Sequence, residues 1–263
     1  MMAYKTILFE QRGGVAKITL NRPEAVNAMN MEMMQEFSEA AIRCDEDASI
    51  RCVIITGNGK MFSAGGDIHA FASEGDNLPA AMKAITIPFH AAVSRFVRMD
   101  APVIAAVNGM CAGGGLSLAA SADLVLAADN AGFAMAYTAA ALSPDGSSTY
   151  FLPRRIGDRR TRELMLTNRR LSAAEALDWG LINTIVPADQ LLEEARALAD
   201  RLAAGPTVAF GQVKSLLNAS FENGLETQME MEARAIADMA RTSDTKEGMN
   251  AFLNKRKPQF NGR

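Results

Sequence analysis

The feature that most constrains this chain is a change in its hydrophobic pattern after about two thirds of its length. Up to Asp189, short apolar runs typical of buried strands, such as CVIIT (52–56) and PVIAAV (102–107), alternate with segments of helical spacing. Beyond Asp189 the pattern is helical throughout. Such an alternation predicts an α/β core with a parallel sheet, followed by a helical region. We place the core at residues 1–200 and the helical region, expected to serve in subunit assembly, at 201–263.

Local signals define several elements. The alternating segments ILFEQR and VAKITL flank Gly13-Gly14, which predicts a β-hairpin. Leu78–Arg98 has helical spacing but contains Pro88, so we expect a break or kink there. Ser172 and Glu175 form the pattern of a capping box at a helix start. EGMNAFLNKRKP (247–258) predicts a closing amphipathic helix with a basic end.

Composition excludes several classes of protein. The 263 residues carry 27 Lys+Arg and 30 Asp+Glu, a net charge of −3, which argues against a nucleic-acid partner. The three cysteines form no C-x-x-C pair, and with only two histidines they predict reduced thiols and no metal site. We see neither a signal peptide nor about 20 continuous apolar residues, so we expect a cytoplasmic protein without a membrane partner.

Two glycine-rich loops each lie between an apolar strand and a helix. They are Ser63–Asp67, which includes Ala64 and Gly66, and Gly113–Gly115. Glycine lets a ligand approach main-chain N–H groups closely, and those at a helix start are unpaired. The loops therefore suit either tight turns or an oxyanion hole, while neither matches the phosphate-binding pattern G-x-x-x-x-G-K-[ST]. Asp67 is interpreted as a cap for the following helix.

Asp145, in the segment LSPDGSST (142–149), also has two interpretations. It is either the N-cap of the helix that follows or a carboxylate in an apolar region that transfers a proton. His90 is either a catalytic base or a structural histidine, and Tyr137 either a core residue or a pocket wall. His69 is expected to be exposed.

Taken together, five segments resemble the enoyl-CoA hydratase/isomerase (crotonase) superfamily nearly from end to end. They are ITLNRPEAVNAMN (18–30), CVIITGNGKMFSAGGDI (52–68), APVIAAVNGMCAGGGLSLAASADLVLAA (101–128), LSAAEALDWGLINTIVP (171–187) and EGMNAFLNKRKPQF (247–260). The resemblance implies a spiral of ββα units, an acyl-CoA substrate, no cofactor beyond that coenzyme A, and a homotrimer or hexamer. It also implies that the N–H groups of Gly66 and Gly114 form an oxyanion hole.

The same resemblance implies where coenzyme A binds. The expected positions are a turn, a loop and the closing helix: Arg22, Ala25, Val26, Ala64, Asp67, Ile68, Phe252 and Lys255. The wall between Phe71 and Phe89 is expected to determine which acyl group is accepted.

Departures from the family pattern indicate the reaction. Hydratases of the family use two glutamates, and the matching residues here are Ser117 and Tyr137. Asp145 matches the single acid of the phenylacetate-pathway and Δ3,Δ2-enoyl-CoA isomerases, so we expect conversion of a 3-enoyl-CoA into a 2-enoyl-CoA. The alternatives are hydratase-like activity, a 4-chlorobenzoyl-CoA-type dehalogenase that uses Asp145 and His90, and a non-catalytic scaffold.

Overall fold

A six-stranded sheet runs through the computed structural model, which describes residues 4–262. Its strands, numbered in chain order, are β1 (Ile7–Arg12), β2 (Val15–Leu20), β3 (Cys52–Gly57), β5 (Val103–Val107), β7 (Leu124–Ala128) and β10 (Thr184–Val186). They lie in the order β1-β2-β3-β5-β7-β10, and only the β1–β2 pair is antiparallel. Strands β3 and β5 are buried almost throughout, as the continuous apolar runs predict.

A second, four-stranded sheet contains β4 (Met61–Ser63), β6 (Met110–Ala112), β8 (Gly132–Ala134) and β9 (Leu171–Ser172). Its first three strands are parallel, and β9 pairs with β8 in the antiparallel sense. The three successive pairs β3–β4, β5–β6 and β7–β8 each place one strand in the large sheet and one in the small sheet before the chain enters a helix. This arrangement confirms the α/β spiral of ββα units with a helical C-terminal region.

The helices follow the strands of this spiral and then continue alone. They are α1 (Met31–Glu46), α2 (Ile68–Ala72), α3 (Leu78–Arg98), α4 (Gly114–Ser121), α5 (Ser148–Ile156), α6 (Asp158–Thr167), α7 (Ala173–Asp178), α8 (Leu191–Ala203), α9 (Thr207–Ala219), α10 (Leu225–Met239) and α11 (Ser243–Leu253). Helix α8 crosses residue 200 and packs on β3, β5 and β7, with Leu191, Ala195 and Ala199 buried. Within the described residues, α9–α11 follow without further strands.

The local turn and cap predictions are confirmed. The β1–β2 hairpin turns at Gly13 and Gly14, whose φ values of +57° and +78° suit glycine. The Ser172 hydroxyl accepts from Glu175 N, and the Glu175 carboxylate accepts from Ser172 N at 2.9 Å. This reciprocal pair fixes the start of α7.

Two helices differ in detail from their predictions. Helix α3 runs across Pro88 without the break that was one of the two expected outcomes, and Ile85, Phe89 and other residues of one face are buried against the core and α1. That burial holds the helix where proline removes a hydrogen bond. The closing helix ends at Leu253, and Lys255 follows with a positive φ of 52°, so the basic residues lie beyond the helix. Strands β4 and β6, which lead into the two glycine-rich loops, are too short to give a strand pattern.

A buried lysine joins the helical region to the core. Lys214 of α9 donates from Nζ to the main-chain oxygens of Phe96 (2.9 Å) and Ala101 (3.0 Å). The same Nζ lies 2.9 Å from Oδ2 of Asp123. All three protons of the ammonium therefore have acceptors, as a buried charge requires.

The cysteines and the helices give two further results. Cys44, Cys52 and Cys111 are buried and free, and burial raises the pKa of the Cys44 and Cys52 thiols to about 12. These thiols therefore stay protonated at neutral pH. Between residues 4 and 262, no helix has both the length and the apolar character needed to cross a membrane.

Candidate active site

The two glycine-rich loops pack directly against each other. A Cβ atom on Gly65 would lie 3.1 Å from both Gly113 Cα and Gly114 N. The φ values of Gly65 and Gly113 are +94° and +52°, which a residue with a side chain rarely adopts. Contact between the loops thus depends on glycine at both positions and brings the starts of α2 and α4 together.

Two main-chain amides of these loops are directed to one cavity. Met29 N donates to Gly65 O (2.7 Å) and Met29 O accepts from Asp67 N (3.0 Å), so the N–H of Gly66, between them, faces away from Met29. Gly114 is the first residue of α4, where an N–H has no acceptor within the helix. Neither amide donates a hydrogen bond to another residue in the range 4–262, and both glycines line the cavity.

This cavity has a volume of about 490 Å³ and a mainly apolar wall. The segment between Phe71 and Phe89 contributes the side chains of Phe71, Met82, Ile85, Thr86 and Phe89, so the predicted wall does border it. The sequence did not indicate three further lining residues, which are Met29, Met34 and Lys83, the single cation among the described residues of the wall. The spacing of Met82, Ile85, Thr86 and Phe89 along α3 is the signal that would have indicated a shared face.

Asp145 points into the cavity and does not cap a helix. Its main-chain oxygen accepts from the Ser148 hydroxyl at 3.0 Å, whereas its carboxylate lines the cavity. Gly146 and Ser147 have φ values of +60° and +72°, and this turn directs the carboxylate away from α5. The N-cap interpretation is therefore wrong, because Ser147 occupies that position.

Tyr137 connects Asp145 to the buried start of α4. Its hydroxyl donates to Oδ1 of Asp145 at 2.5 Å, and Ser117 Oγ lies 3.3 Å from the same hydroxyl. Burial, and after it the charge of Asp145, raises the pKa of the Tyr137 phenol well above its ordinary value. Tyr137 therefore remains a hydrogen-bond donor, and it forms part of the cavity wall, as one of its two interpretations predicts. Ser117 is fully buried behind it.

His90 lies beside Asp145 but outside the cavity wall. Its Nε2 accepts from Gly146 N at 3.1 Å, so this nitrogen presents a lone pair. The distance from Nε2 to Oδ2 of Asp145 is 3.6 Å. Of the two carboxylate oxygens of Asp145, Oδ2 accepts no hydrogen bond from any residue that the structure describes. The side chain of His90 is half-exposed, and His69 is exposed as expected.

Arg22 and Asp67 form an ion pair next to Gly66 and Ile68, which line the cavity. Arg22 Nη1 lies 2.9 Å from Oδ2 of Asp67 and donates to Ala28 O at 2.5 Å. Asp67 also caps α2, as predicted, by accepting from Ala70 N at 3.1 Å. Burial alone would raise the pKa of the Asp67 carboxyl, but the hydrogen bonds from Ala70 and Arg22 hold it below its ordinary value.

The predicted coenzyme A positions fall into two groups. Val26 O accepts from Ala64 N at 3.1 Å, so the turn with Ala25 and Val26 adjoins the loop from Ala64 to Ile68. Ala64 and Ile68 line the cavity. Phe252 and Lys255 are exposed near the end of α11 and do not line it.

Comparison with known proteins adds an independent finding. A model of the family described as "Enoyl-CoA hydratase/isomerase" matches residues 10–263. A Rhodobacter capsulatus protein named "Probable enoyl-CoA hydratase" is 40% identical over 100% of both chains. The "1,2-epoxyphenylacetyl-CoA isomerase" of Escherichia coli K12 is 38% identical over 98% of both. The crystal structure of an enoyl-CoA hydratase from Polaromonas sp. JS666 superposes with a TM-score of 0.92 at 34% identity, covering 97% of this chain and 99% of that one.

Proposed function

Because the chain belongs to the enoyl-CoA hydratase/isomerase family, we propose that it is an isomerase that converts a 3-enoyl-CoA into the conjugated 2-enoyl-CoA. The observation that carries this proposal is the acid content of the cavity. Among the described residues that line it, Asp145 is the single carboxylate. One carboxylate suffices for a 1,3-proton transfer, since it is the base in the first half and the acid in the second.

The amides of Gly66 and Gly114 support the first half of this reaction. They have no acceptor among the described residues and face the cavity, so they are available to the thioester oxygen. When the substrate loses a proton from C2, negative charge develops on that oxygen. A well-placed donor contributes about 2.7–4 kcal/mol to lowering such a barrier.

Asp145 then moves the proton. The C2–H bond breaks as an O–H bond forms on the carboxylate, and the electron pair enters a dienolate held by the two amides. The dienolate takes the proton back at C4, which leaves the double bond between C2 and C3. The chemistry needs no flavin or nicotinamide, because no electrons are exchanged with another group, and no metal, because the two amides stabilise the charge on the thioester oxygen.

Coenzyme A, as part of the substrate, is proposed to lie along the turn at Arg22, Ala25 and Val26 and the adjoining loop with Asp67. The ion pair with Asp67 uses one nitrogen of Arg22 and keeps both segments in place. Phe252 and Lys255 are proposed to cover the nucleotide end from outside the acyl cavity.

Hydration is the second candidate, and it is the activity in the names of the Rhodobacter capsulatus and Polaromonas proteins. The cavity argues against it, because hydration by two acids needs a second carboxylate beside the first. A phenol and a buried hydroxyl stand at those positions, and the Tyr137 phenol stays protonated. We therefore expect hydration of 2-enoyl-CoA to be much slower than isomerisation.

The dehalogenase alternative needs a histidine that activates water. His90 Nε2 already accepts from Gly146 N and lies outside the cavity wall. That nitrogen is therefore engaged in the structure, which disfavours a role as general base.

One experiment separates these functions. The wild type, Asp145→Asn and His90→Gln are each offered 3-enoyl-CoA, 2-enoyl-CoA and 4-chlorobenzoyl-CoA. We expect conjugated thioester from the first substrate only, loss of this product in Asp145→Asn, and a small effect of His90→Gln, whose amide oxygen can accept from Gly146 N. Unchanged turnover in Asp145→Asn would refute the role of Asp145, and preferred hydration of 2-enoyl-CoA would favour the second candidate.

A homotrimer or hexamer is proposed for the assembly. Large apolar side chains of α9–α11 are exposed in the single chain: Val213, Leu217, Leu225, Met229, Ile236, Met249, Phe252 and Leu253. Exposed apolar surface of this kind is typical of a protein interface. Light scattering coupled to size-exclusion chromatography measures the mass, and a monomer at micromolar concentration would contradict the proposal.

A further inference from the structure

The carboxylate of Asp145 has two oxygens in different surroundings. Oδ1 is 2.5 Å from the Tyr137 hydroxyl, whereas Oδ2 accepts no hydrogen bond from any residue between 4 and 262. An ionised carboxylate can only accept hydrogen bonds, so the phenol must be the donor. The raised pKa of Tyr137 agrees with this direction, since the phenol keeps its proton.

The phenol is itself held by the first turn of α4. Ser117 Oγ lies 3.3 Å from the Tyr137 oxygen and 3.3 Å from Gly113 O, and it is fully buried. A Cβ atom on Gly114 would be 3.7 Å from the same phenol oxygen. The turn that carries the Gly114 amide therefore also determines where the phenol lies, and through it where Asp145 lies.

We infer that Tyr137 is a positioning residue, which deepens the proposed function and rests on it: its hydroxyl holds Oδ1 of Asp145 and leaves Oδ2 as the one oxygen that removes and returns the proton. The hydrogen bond from the phenol occupies Oδ1, whereas Oδ2 keeps its lone pairs available to the substrate. The hydrogen bond survives the reaction, since Oδ1 becomes the carbonyl oxygen when Oδ2 carries the proton.

A fixed oxygen has a consequence for the fate of the proton. The bond from Oδ2 to hydrogen forms as the C2–H bond breaks, and the same bond breaks as the C4–H bond forms. If the carboxylate cannot rotate, the hydrogen that leaves C2 reaches C4 on the same face of the substrate. Without the phenol, the carboxylate turns freely about its Cβ–Cγ bond, and the proton has time to exchange with water.

Tyr137→Phe tests this inference by removing one oxygen atom while keeping the ring. Tyr150→Phe is the matched control, because it makes the same chemical change at a hydroxyl that donates only to Asn218 O and lies outside the cavity. With a 3-enoyl-CoA deuterated at C2, we expect the wild type and Tyr150→Phe to deliver deuterium to C4. Tyr137→Phe is expected to lower kcat by about 10²-fold with little change in KM, since a misplacement near 1 Å costs about that much. It should also replace deuterium by solvent hydrogen at C4.

A crystal structure of each variant separates this inference from the proposed function. We expect the Asp145 carboxylate to be rotated in Tyr137→Phe and unchanged in Tyr150→Phe, whichever reaction the protein catalyses. A wild type that isomerises no 3-enoyl-CoA would overturn the proposed function and with it the proton path. A Tyr137→Phe variant that keeps both the carboxylate orientation and, in an active enzyme, the deuterium transfer would overturn the positioning role alone.

Discussion

Gly146→Ala changes a residue of the turn that directs Asp145 into the cavity. The structure indicates two separate reasons why this substitution lowers the free energy of unfolding. The φ of Gly146 is +60°, a conformation that costs a residue with a side chain about 1–2 kcal/mol. The new Cβ would also lie 2.4 Å from Cε1 of Phe89, and Phe89 is buried in the core. Overpacking of this kind costs about 1–3 kcal/mol more.

Gly75→Ala is the control that separates the two costs. Gly75 has a similar φ of +51°, but no atom lies within 4 Å of the position of its Cβ. The two variants therefore share the backbone cost, and the difference between their unfolding free energies measures the crowding against Phe89. We expect Gly146→Ala to be less stable than Gly75→Ala by about 1–3 kcal/mol.

Thermal unfolding of both variants at equal protein concentration checks this difference. One kcal/mol moves Tm by about 2–4 °C in chains of 150–250 residues, so Gly146→Ala should melt several degrees below Gly75→Ala. We also expect loss of activity in Gly146→Ala alone, because relief of the clash displaces Asp145. Equal Tm values for the two variants, or full activity in Gly146→Ala, would refute the reasoning.

Three further predictions concern stability. Lys214→Met removes the cation that pairs with Asp123, whose Oδ2 still accepts from Val103 N, and should lower the unfolding free energy by about 3 kcal/mol. This is the lower end of the range for a broken buried pair, because Asp123 is partly exposed. Urea denaturation measures the change, and a loss below about 1 kcal/mol would contradict the prediction. Ser172→Ala removes the capping box and should cost about 1 kcal/mol by the same assay, whereas an unchanged midpoint would show that the cap contributes nothing. The pKa of the Asp67 carboxyl is lower in the folded state than in the unfolded state. The stability contributed by its pair with Arg22 is therefore present above pH values of about 4, the ordinary pKa of aspartate, and is lost as the pH falls towards the lowered pKa. Acid titration of Asp67→Asn should show a weaker loss of stability in that range than the wild type, and identical titrations would contradict the assignment.

The sequence predicted most of the fold because its strands are strongly marked. CVIIT and PVIAAV became β3 and β5, and the capping box at Ser172 lies where it was expected. The sequence did not show that α3 continues past Pro88 without a break, because the effect of a proline depends on tertiary packing and one face of this helix is buried. Strands of three residues, such as β4 and β6, leave no periodicity to recognise.

The candidate active site, like the fold, could be predicted from the sequence only in part. The glycines of the two loops and the carboxylate at Asp145 could be identified from the motifs, and the structure brings them to one cavity. The hydrogen bond between Tyr137 and Asp145 could not be predicted, because it depends on where the turn at Gly146 and Ser147 directs the Asp145 carboxylate. Nor could the sequence show that His90 Nε2 faces the amide of Gly146.

The small sheet has a consequence for how the reaction could be altered. Strands β4, β6 and β8 are parallel, and Gly66, Gly114 and Tyr137 each follow within three residues of a strand end. In successive turns of the spiral, the chain leaves the small-sheet strand towards the same cavity, and each of these three strand exits contributes one group to it. Gly66 and Gly114 supply main-chain amides, whereas Tyr137 supplies a side chain, so substitution at the third exit exchanges a chemical function while both amides are retained. Directed evolution of a new acyl-CoA reaction in this chain should therefore concentrate its productive changes at Tyr137, since a Cβ atom on Gly66 would lie 2.6 Å from Cε2 of Phe71.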